Sequence, residues 1–214
     1  MLTKNLYVIL ADFRENGDGI NPGGNMRIED SFLRTQDDAI YVNGAGMKNL
    51  VIWNDANGTA FALWALKENI ILLVEDCDVI YSRAVYHKWT GGRIFSLRAG
   101  GNSDVVGGGQ VVFRNIRVEE PFPTYQTFFL TTSRDFPGSF TSEDRVGAGL
   151  TGVTFQNVSV AAVSVHGYPE ILHGHPDAPI SNITFEKVVI AGERIDSLTN
   201  FAYVNEYVTN IHFK

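Results

Sequence analysis

The sequence predicts an all-β protein that folds as one right-handed parallel β-helix domain over residues 1–214. A short strand pattern recurs along the chain: an apolar pair or triplet, a polar residue, Asn or Asp, and more apolar residues. Little of the sequence has the apolar period of an amphipathic helix. Repetition at intervals of roughly 20 to 50 residues is typical of solenoids. The copies are MRIEDSF (26–32), LVIWNDA (50–56), ILLVEDCDV (71–79), VVFRNIRV (111–118), GVTFQNVSV (152–160), NITFEKVVI (182–190) and the partial NIHF (210–213).

Aligning these copies predicts one stacked column of acids and amides. Subtracting residue numbers along the column gives intervals of 24, 22, 39, 42 and 30 residues, and the longer ones fit coils with inserted loops. Asn suits a coil corner because its short amide bonds backbone groups in a bend and tolerates left-handed geometry. Tandem hairpins in a sandwich, or a generic all-β domain, are the alternatives, but clear two-residue hairpin turns are missing from the sequence. The column contains Asp30, Asn54, Asp76, Asn115, Asn157 and, in the sixth copy, Lys187.

Composition limits the partners of this 214-residue chain. A formal net charge of -7 argues against nucleic acid or an anionic membrane surface as the main partner, because both require basic patches. The single cysteine, Cys77, excludes an internal disulfide and is expected to be an inert core thiol. No apolar run approaches the length of a transmembrane helix. The apolar stretch within residues 1–10 is too short for a signal peptide.

The candidate chemistry lies near the N-terminus. Asp18 belongs to NGDGI (16–20), and Asp37 follows it by 19 residues, with Asp38 next to it. One coil is about that long, so these carboxylates should lie on neighbouring coils about 5 Å apart. They cannot all ionise cheaply, and a proton donor beside a base is what glycosidic hydrolysis requires. Neighbours on a regular strand point to opposite faces, so Asp37 and Asp38 share a cleft only where the strand bends; otherwise one of them caps a turn.

NGDGI, IEDSFLRTQDDAIYV, VIWND and VEDCDVIYSR together resemble segments of β-helical polysaccharide hydrolases. The resemblance is closest to the dextranase and isopullulanase family, glycoside hydrolase family 49, and more distant to the polygalacturonases. In both groups an Asp-Gly motif on one coil meets an Asp-Asp pair on the next. The specific motifs cover residues 12–83, and only the coil pattern continues beyond them.

This resemblance implies inverting hydrolysis, in which Asp37 is the general acid and Asp18 and Asp38 hold and deprotonate the attacking water. It also implies an extracellular or periplasmic parent enzyme. Two polygalacturonase motifs are absent: Gly-His-Gly after the Asp pair, where residues 57–61 read NGTAF, and the Arg-Ile-Lys that grips a uronate. Both gaps favour a neutral glucan, similar to dextran or pullulan, over pectin.

Five further residues are candidates for binding the polysaccharide: Arg83, Tyr41, Trp53, Tyr81 and Lys88. Counted from the acid–amide column, Asp37, Phe61 and Arg83 each lie seven residues on, which predicts Arg83 on the face of Asp37 two coils away. A surface ion pair is the alternative for Arg83. Trp53 could stack on a sugar ring, although an aromatic in such a chain is more often part of the core.

No cofactor or metal is expected. His166, His173 and His175 cluster in HGYPEILHGHP, but a His-Gly-His in this Pro-rich loop offers no scaffold that converges on a metal. The glycine clusters lack the Lys-Ser/Thr or strand–helix context of a phosphate-binding loop.

Asp18 lies almost at the start of the chain, whereas the related enzymes carry more coils before this motif. We therefore expect the C-terminal part of a longer solenoid, with a second copy covering the exposed first coil in a homo-oligomer. The predicted function is hydrolysis of a neutral polysaccharide, with activity reduced if the missing coils carry part of the cleft. The alternatives are a noncatalytic carbohydrate-binding β-helix and a pectin-degrading, polygalacturonase-like enzyme.

Overall fold

The computed structural model describes residues 2–9, 17–22, 26–42, 46–55, 58–63, 70–83, 93–98, 109–121, 126–132, 149–161 and 170–214. Strands dominate these ranges, and their one helical element is a 3₁₀ turn at Leu198–Asn200. The prediction of an all-β chain is therefore confirmed. Within the described residues, no helix has the length and apolarity needed to span a bilayer.

The described strands belong to two sheets. The larger sheet contains β1, β2, β3, β5, β7, β9, β11, β13, β14 and β16, and the smaller sheet contains the other six. In chain order the strands are β1 (Leu2–Lys4), β2 (Tyr7–Ile9), β3 (Arg27–Thr35), β4 (Ile40–Tyr41), β5 (Gly46–Asn54), β6 (Thr59–Leu63), β7 (Ile71–Ser82), β8 (Arg93–Arg98), β9 (Gln110–Val118), β10 (Gln126–Thr131), β11 (Leu150–Val160), β12 (Ile171–His173), β13 (Ile180–Ile190), β14 (Glu193–Arg194), β15 (Tyr203–Val204) and β16 (Val208–Phe213).

From β3 to β13 the chain alternates between the two sheets, so consecutive strands of each sheet are there separated by a strand of the other. The larger sheet has the order β1-β3-β5-β7-β9-β11-β13, with β16 beside β13, and the smaller sheet has the order β4-β6-β8-β10-β12-β15. These neighbours pair in parallel, and among the described strands only β14 runs antiparallel to its partner. Parallel pairing between successive copies of the repeat is what the sequence predicted.

A column of residues with left-handed backbone geometry bends the strands of the larger sheet at matching positions. Their φ angles lie between 50° and 56°, and the strand registers place them side by side. The predicted column was wrong at Asn54, because Asn49 occupies that position and Asn54 ends β5 with a fully buried side chain. Leu50 and Ile52, which follow Asn49, face the core and set this register. The column is Asn5, Asp30, Asn49, Asp76, Asn115, Asn157 and Lys187.

Hydrogen bonds and charges along this column keep the strands in register. Asn49 Nδ2 donates to Asp30 Oδ1 at 2.8 Å, and Asn115 Nδ2 donates to Asp76 Oδ1 at the same distance. This bond from Asn115 is the main cause that lowers the pKa of Asp76. The adjacent row alternates in charge between neighbouring strands, which disfavours a slipped pairing because a slip brings like charges together. That row contains Lys4, Glu29, Lys48, Glu75 and Arg114.

Two ladders of phenylalanines fill the space between the sheets. Phe61, Phe95 and Phe128 of the smaller sheet stack at centroid distances of 5.4 and 5.5 Å. The ladder of the larger sheet meets them edge to face, for example Phe155 against Phe128 at 4.7 Å. Such offset and edge-to-face pairs add about 0.5–1.5 kcal/mol each beyond the area that they bury. Phe61 is therefore a core residue of the smaller sheet, and its predicted place in one row with Asp37 and Arg83 was wrong.

The N-terminal edge of the larger sheet exposes apolar side chains. Leu2, Tyr7 and Ile9 of β1 and β2 are 55%, 75% and 59% exposed. The homo-oligomer that would cover this edge stays a prediction. We expect sedimentation at roughly tens of micromolar to show a dimer or larger species, and a clean monomer there would contradict it.

Candidate active site

Asp18 is brought to Asp38 by a short segment that pairs with the chain before β4. Gly19 N–H donates to the Asp38 carbonyl at 2.9 Å, and Ile20 N–H donates to the Ala39 carbonyl at 3.0 Å. This close approach requires glycine at position 19, because a Cβ there would overlap the Ala39 carbonyl oxygen. The Asp-Gly motif and the Asp pair are thus neighbours in the structure.

Asp37 and Asp38 lie in a bend between β3 and β4, so the strict alternation of a strand does not apply to them. Both residues are half-buried. Asp37 Oδ1 accepts the backbone N–H of Asp38 at 2.9 Å. The Gly17 carbonyl accepts the N–H groups of Gln36 and Asp37 at 3.2 Å each. These bonds hold the bend in which both aspartates occur.

Tyr41 lies beside Asp18 and follows Asp38 by three residues. Its hydroxyl donates to Asp18 Oδ2 at 3.0 Å. Burial, followed by the negative charge of Asp38 and the bond to Asp18, raises the pKa of Tyr41 far above its usual range. The phenol therefore stays protonated at neutral pH. Its hydroxyl contacts the Asp18 carboxylate, and its role as a substrate ligand stays a prediction.

The bend is supported from inside the protein by Asn54. This side chain is fully buried, and its Nδ2 donates to the Asp37 carbonyl at 2.5 Å and to Thr35 Oγ1 at 3.2 Å. Thr35 Oγ1 in turn donates to the Asp37 carbonyl at 3.2 Å. Asn54, which the sequence assigned to the outer column, instead positions the backbone of a candidate catalytic residue.

Gly58 packs directly against the Asp37–Asp38 peptide. Its φ is +76°, and a Cβ built on it would lie 2.5 Å from Asp37 Oδ1 and would overlap the backbone nitrogen of Asp38. A side chain at this position must displace the bend. Sequence reasoning noted this glycine only as part of NGTAF, because nothing in the local sequence indicates what lies against it.

Gly58→Ala is expected to destabilise the fold by about 2–4 kcal/mol, through strain at positive φ plus the clash with the bend. Gly192→Ala is the matched control, since Gly192 has φ +83° and a Cβ added to it would meet nothing within 4 Å. Urea unfolding of both variants separates the clash from the φ strain. Equal losses of unfolding free energy in the two variants would show that Gly58 does not constrain the bend.

The predicted substrate-binding residues Trp53 and Tyr81 form an outward row on the larger sheet. Their rings lie 5.0 Å apart, and the Arg34 guanidinium lies 5.3 Å from the Trp53 ring centroid. Asp55 holds this row by accepting from Arg34 Nε at 2.7 Å and from Trp53 Nε1 at 2.5 Å. Arg34 and Tyr81 thus flank Trp53 on neighbouring strands, and the binding of a sugar by Trp53 and Tyr81 stays a prediction.

Arg83 is exposed, and its N–H donates to the Asn54 carbonyl at 2.9 Å. Arg83 therefore directly follows β7 and lies beside Asn54 of β5. Asn54 in turn supports the backbone of Asp37. The prediction counted Arg83 from Asp76, which is a true member of the column, and Arg83 belongs to this end of the larger sheet. Lys88 lies outside the described residues.

Arg93 is a candidate residue of the site that sequence reasoning missed. It begins β8 in register with Thr59, the residue whose carbonyl accepts the Ala39 N–H beside Asp38. Arg93 is 4% exposed, and its guanidinium lies 3.7 Å from the ring centroid of Phe129. A charged residue at the start of the apolar run RIFSL was the one signal available in the sequence.

The histidines of the C-terminal region do not assemble into a metal centre in the described part of the chain. No group of three or more His, Cys, Asp or Glu residues there is arranged to hold a metal ion. His175 Nδ1 accepts the N–H of Asp177 at 3.2 Å. His166 lies outside the described residues.

Glu170 is a second candidate carboxylate and lies directly before β12. It accepts the N–H groups of Thr127, at 3.1 Å, and Phe128. Part of the residue contacts solvent, but its carboxyl group is enclosed, and burial raises the pKa of Glu170 to about 7. Nothing in the sequence indicated this, because Glu170 stands in an ordinary Pro-Glu loop motif.

We expect Glu170→Gln to remove a pH dependence of stability. The folded state holds this proton up to about pH 7, whereas the unfolded chain releases it near pH 4.5. The group's contribution to stability is therefore present below pH 4.5 and lost as the pH rises through 7, by at most about 3 kcal/mol. Urea unfolding from pH 4.5 to 8 should show this decline in wild type and in the exposed control Glu206→Gln, and not in Glu170→Gln. A parallel decline in all three would contradict it.

Comparisons of the chain with models of protein families, with curated proteins and with solved structures found no match. The function must therefore be inferred from the residues and their geometry. The features available for this are the bend with Asp37 and Asp38, the Asp18 segment and the phenol that donates to Asp18.

Proposed function

We propose that this chain is an inverting glycoside hydrolase that cleaves a neutral polysaccharide and is built on a right-handed parallel β-helix. One observation carries the proposal: the Gly19 N–H bond to the Asp38 carbonyl brings Asp18 beside the bend that contains both Asp37 and Asp38, and the Asp37 carboxyl there is held by the Asp38 N–H. The motif resemblance to dextranases assigns the acid and base roles to the same three residues. The alternation of the chain between two parallel sheets supports the β-helix, because each coil of such a solenoid adds one strand to each sheet.

In the proposed mechanism Asp37 protonates the leaving glycosidic oxygen. Its Oδ1 accepts the Asp38 N–H, so the proton is assigned to Oδ2. Asp18 and Asp38 hold the attacking water and take its proton, so the water attacks the anomeric carbon as the bond to the leaving oxygen breaks. Water attacks from the face opposite the leaving group, so the first product has the inverted anomeric configuration.

The charges around the bend favour a neutral polymer over a uronate polymer. Three aspartates meet there, in a chain whose net charge is -7, so a polymer of carboxylates would be repelled. Arg34, the cation on the neighbouring outward row, is paired with Asp55. Dextran, pullulan and related glucans are therefore the first substrates to test.

Product release from dextran, pullulan, other glucans and polygalacturonate tests this function. Reducing ends are assayed for wild type and Asp37→Asn, and NMR at early times identifies the anomer released. We expect turnover of a neutral glucan that Asp37→Asn abolishes, with the inverted anomer as the first product.

Other outcomes of the panel decide between the alternatives. Turnover restricted to polygalacturonate would favour the pectin-degrading enzyme, and a retained anomer would contradict the inverting mechanism. Binding of a glucan by both proteins without turnover would favour a noncatalytic carbohydrate-binding solenoid.

A further inference from the structure

We infer that Ser82 is a positioning residue that acts on Asp37 through a buried water molecule held between Ser82 and Asn54. The water site itself goes beyond the proposed function, and only its effect on turnover rests on that function. Ser82 ends β7 and is the register partner of Asn54, whose side-chain amide supports the bend. Both Ser82 and Asn54 are fully buried.

Two buried polar atoms of this pair lead to the inference. Among the residues that the structure describes, Asn54 Oδ1 and Ser82 Oγ have no hydrogen-bond partner. A buried carbonyl oxygen or hydroxyl without a partner costs free energy, so nearly all such groups in folded proteins bond to other protein atoms or to ordered water. Because these two atoms belong to neighbouring residues of one row, they indicate a single ligand that both of them share.

The donors around Asn54 Oδ1 are already used in other hydrogen bonds. The Arg83 N–H donates to the Asn54 carbonyl at 2.9 Å, and the Ser82 N–H donates to the Glu120 carbonyl at 3.1 Å. The Asn54 amide nitrogen points away from Ser82 to the Asp37 carbonyl. These backbone groups therefore cannot satisfy the amide oxygen, and a donor from outside the chain is required.

A β-bulge beside the pair accounts for the absence of a direct bond between the two side chains. The register between β5 and β7 shifts after Ile52, so β7 has one extra residue just before Tyr81. A bulge bends its strand and changes the direction of the side chains next to it. Ser82 thus keeps its place beside Asn54, while its hydroxyl does not bond the amide oxygen.

Water fits this position better than a metal ion. A water molecule donates to the amide oxygen, and it can both accept from and donate to a hydroxyl. Asn54 and Ser82 are neutral, and in the described part of the chain no group of three or more His, Cys, Asp or Glu residues is arranged to hold a cation. Buried waters make roughly two to four hydrogen bonds to polar groups of this kind.

The water orients the amide that supports the candidate acid. With Oδ1 bonded to water, the Asn54 side chain keeps its Nδ2 directed at the Asp37 carbonyl and at Thr35 Oγ1. Without the Ser82 hydroxyl the amide loses this anchor, so the bend that carries Asp37 can shift. A small misplacement of a catalytic group lowers the rate of the chemical step while the contacts that bind the polymer remain.

A high-resolution crystal structure of the full chain tests the water site without any substrate. We expect one ordered water within about 3.2 Å of both Asn54 Oδ1 and Ser82 Oγ. A direct hydrogen bond between the two side chains, or a Ser82 hydroxyl bonded elsewhere with no water beside it, would overturn the inference.

Kinetic measurements test the positioning role. Ser82→Ala should lower kcat on the preferred polymer by roughly tenfold and leave KM unchanged. The loss should be much smaller on a 4-nitrophenyl glycoside, because its leaving group needs little protonation and only the acid is misplaced. Ser31→Ala is the matched control, since Ser31 is a buried serine of the same sheet whose hydroxyl donates to the Glu29 carbonyl at 2.7 Å. We expect unchanged kcat in this control.

The outcomes separate this inference from the proposed function. A bridging water in the crystal without turnover of any polymer would retain the water site and reject the hydrolase. Turnover in wild type, with the same kcat in Ser82→Ala and Ser31→Ala, would reject the positioning role and retain the hydrolase. If Ser82→Ala does not fold, Ser82→Cys replaces it with the same expected loss, because a thiol is a weak hydrogen-bonding group of similar size.

Discussion

Asp37→Asn is expected to lower turnover of the preferred glucan by roughly 10²–10⁴-fold, the usual contribution of a general acid. Asn keeps the shape of the side chain, and its Oδ1 can still accept the Asp38 N–H, so the bend should persist. What is lost is the proton for the leaving oxygen. Michaelis–Menten kinetics on the polymer identified by the panel would measure the loss.

The leaving group distinguishes loss of the acid from loss of structure. A substrate with a good leaving group, such as a 4-nitrophenyl glycoside of the same sugar, needs little protonation, so Asp37→Asn should retain much of its activity there. Asp38→Asn should lose activity on both substrates, since its carboxylate acts on the water. Asp196→Asn, at an exposed position of the C-terminal segment, is the control for loss of an aspartate. Equal losses on both substrates for Asp37→Asn would contradict the role of Asp37 as the acid.

Phe155→Ala is expected to destabilise the protein by about 3–5 kcal/mol. Phe155 is fully buried and stacks between Phe113 and Phe185 at 5.3 Å on each side. Its edge-to-face partners are Phe95 at 5.0 Å and Phe128 at 4.7 Å. Alanine therefore leaves a cavity that removes contacts from both ladders at once.

Urea unfolding followed by tryptophan fluorescence would measure this loss. Phe213→Ala is the matched control, because Phe213 ends the same ladder, is only partly buried and, among the described rings, stacks on Phe185 at 5.6 Å. We expect the control to lose less than half as much unfolding free energy. Similar losses in the two variants would show that the centre of the ladder is not the main stabilising element.

Much of the fold could be predicted from local sequence because each strand repeats one pattern. Apolar residues face the core at the position two before the bend and at the positions one and three after it. Phe113, Ile116 and Val118 around Asn115 are an example. Asn and Asp at the bend tolerate left-handed geometry better than other non-glycine residues. The one wrong member, Asn54, arose because two asparagines flank the same apolar run, and local pattern does not tell which of them bends the chain.

The candidate site was predicted in part. Asp18, Asp37 and Asp38 were identified because the interval between Asp18 and the Asp pair matches one coil. In the structure the Gly19 N–H donates to the Asp38 carbonyl, which brings the Asp18 segment beside this pair. The functions of Asn54, Gly58 and Tyr41 at the bend were not predicted. Each depends on a contact with a residue between 17 and 23 positions away in sequence, so no neighbouring residues reveal it.

Local pattern in the chain was sufficient to establish the all-β class, the parallel repetition and the identity of three candidate carboxylates. These properties follow from periodicity and residue type, which act locally on every copy of the repeat. The packing of distant segments was needed to establish which asparagine bends β5, that Tyr41 donates to the Asp18 carboxylate, and that the carboxyl of Glu170 is buried against β10. Desolvation and hydrogen bonding between residues far apart in sequence arise only when the coils are stacked, so no local pattern contains them.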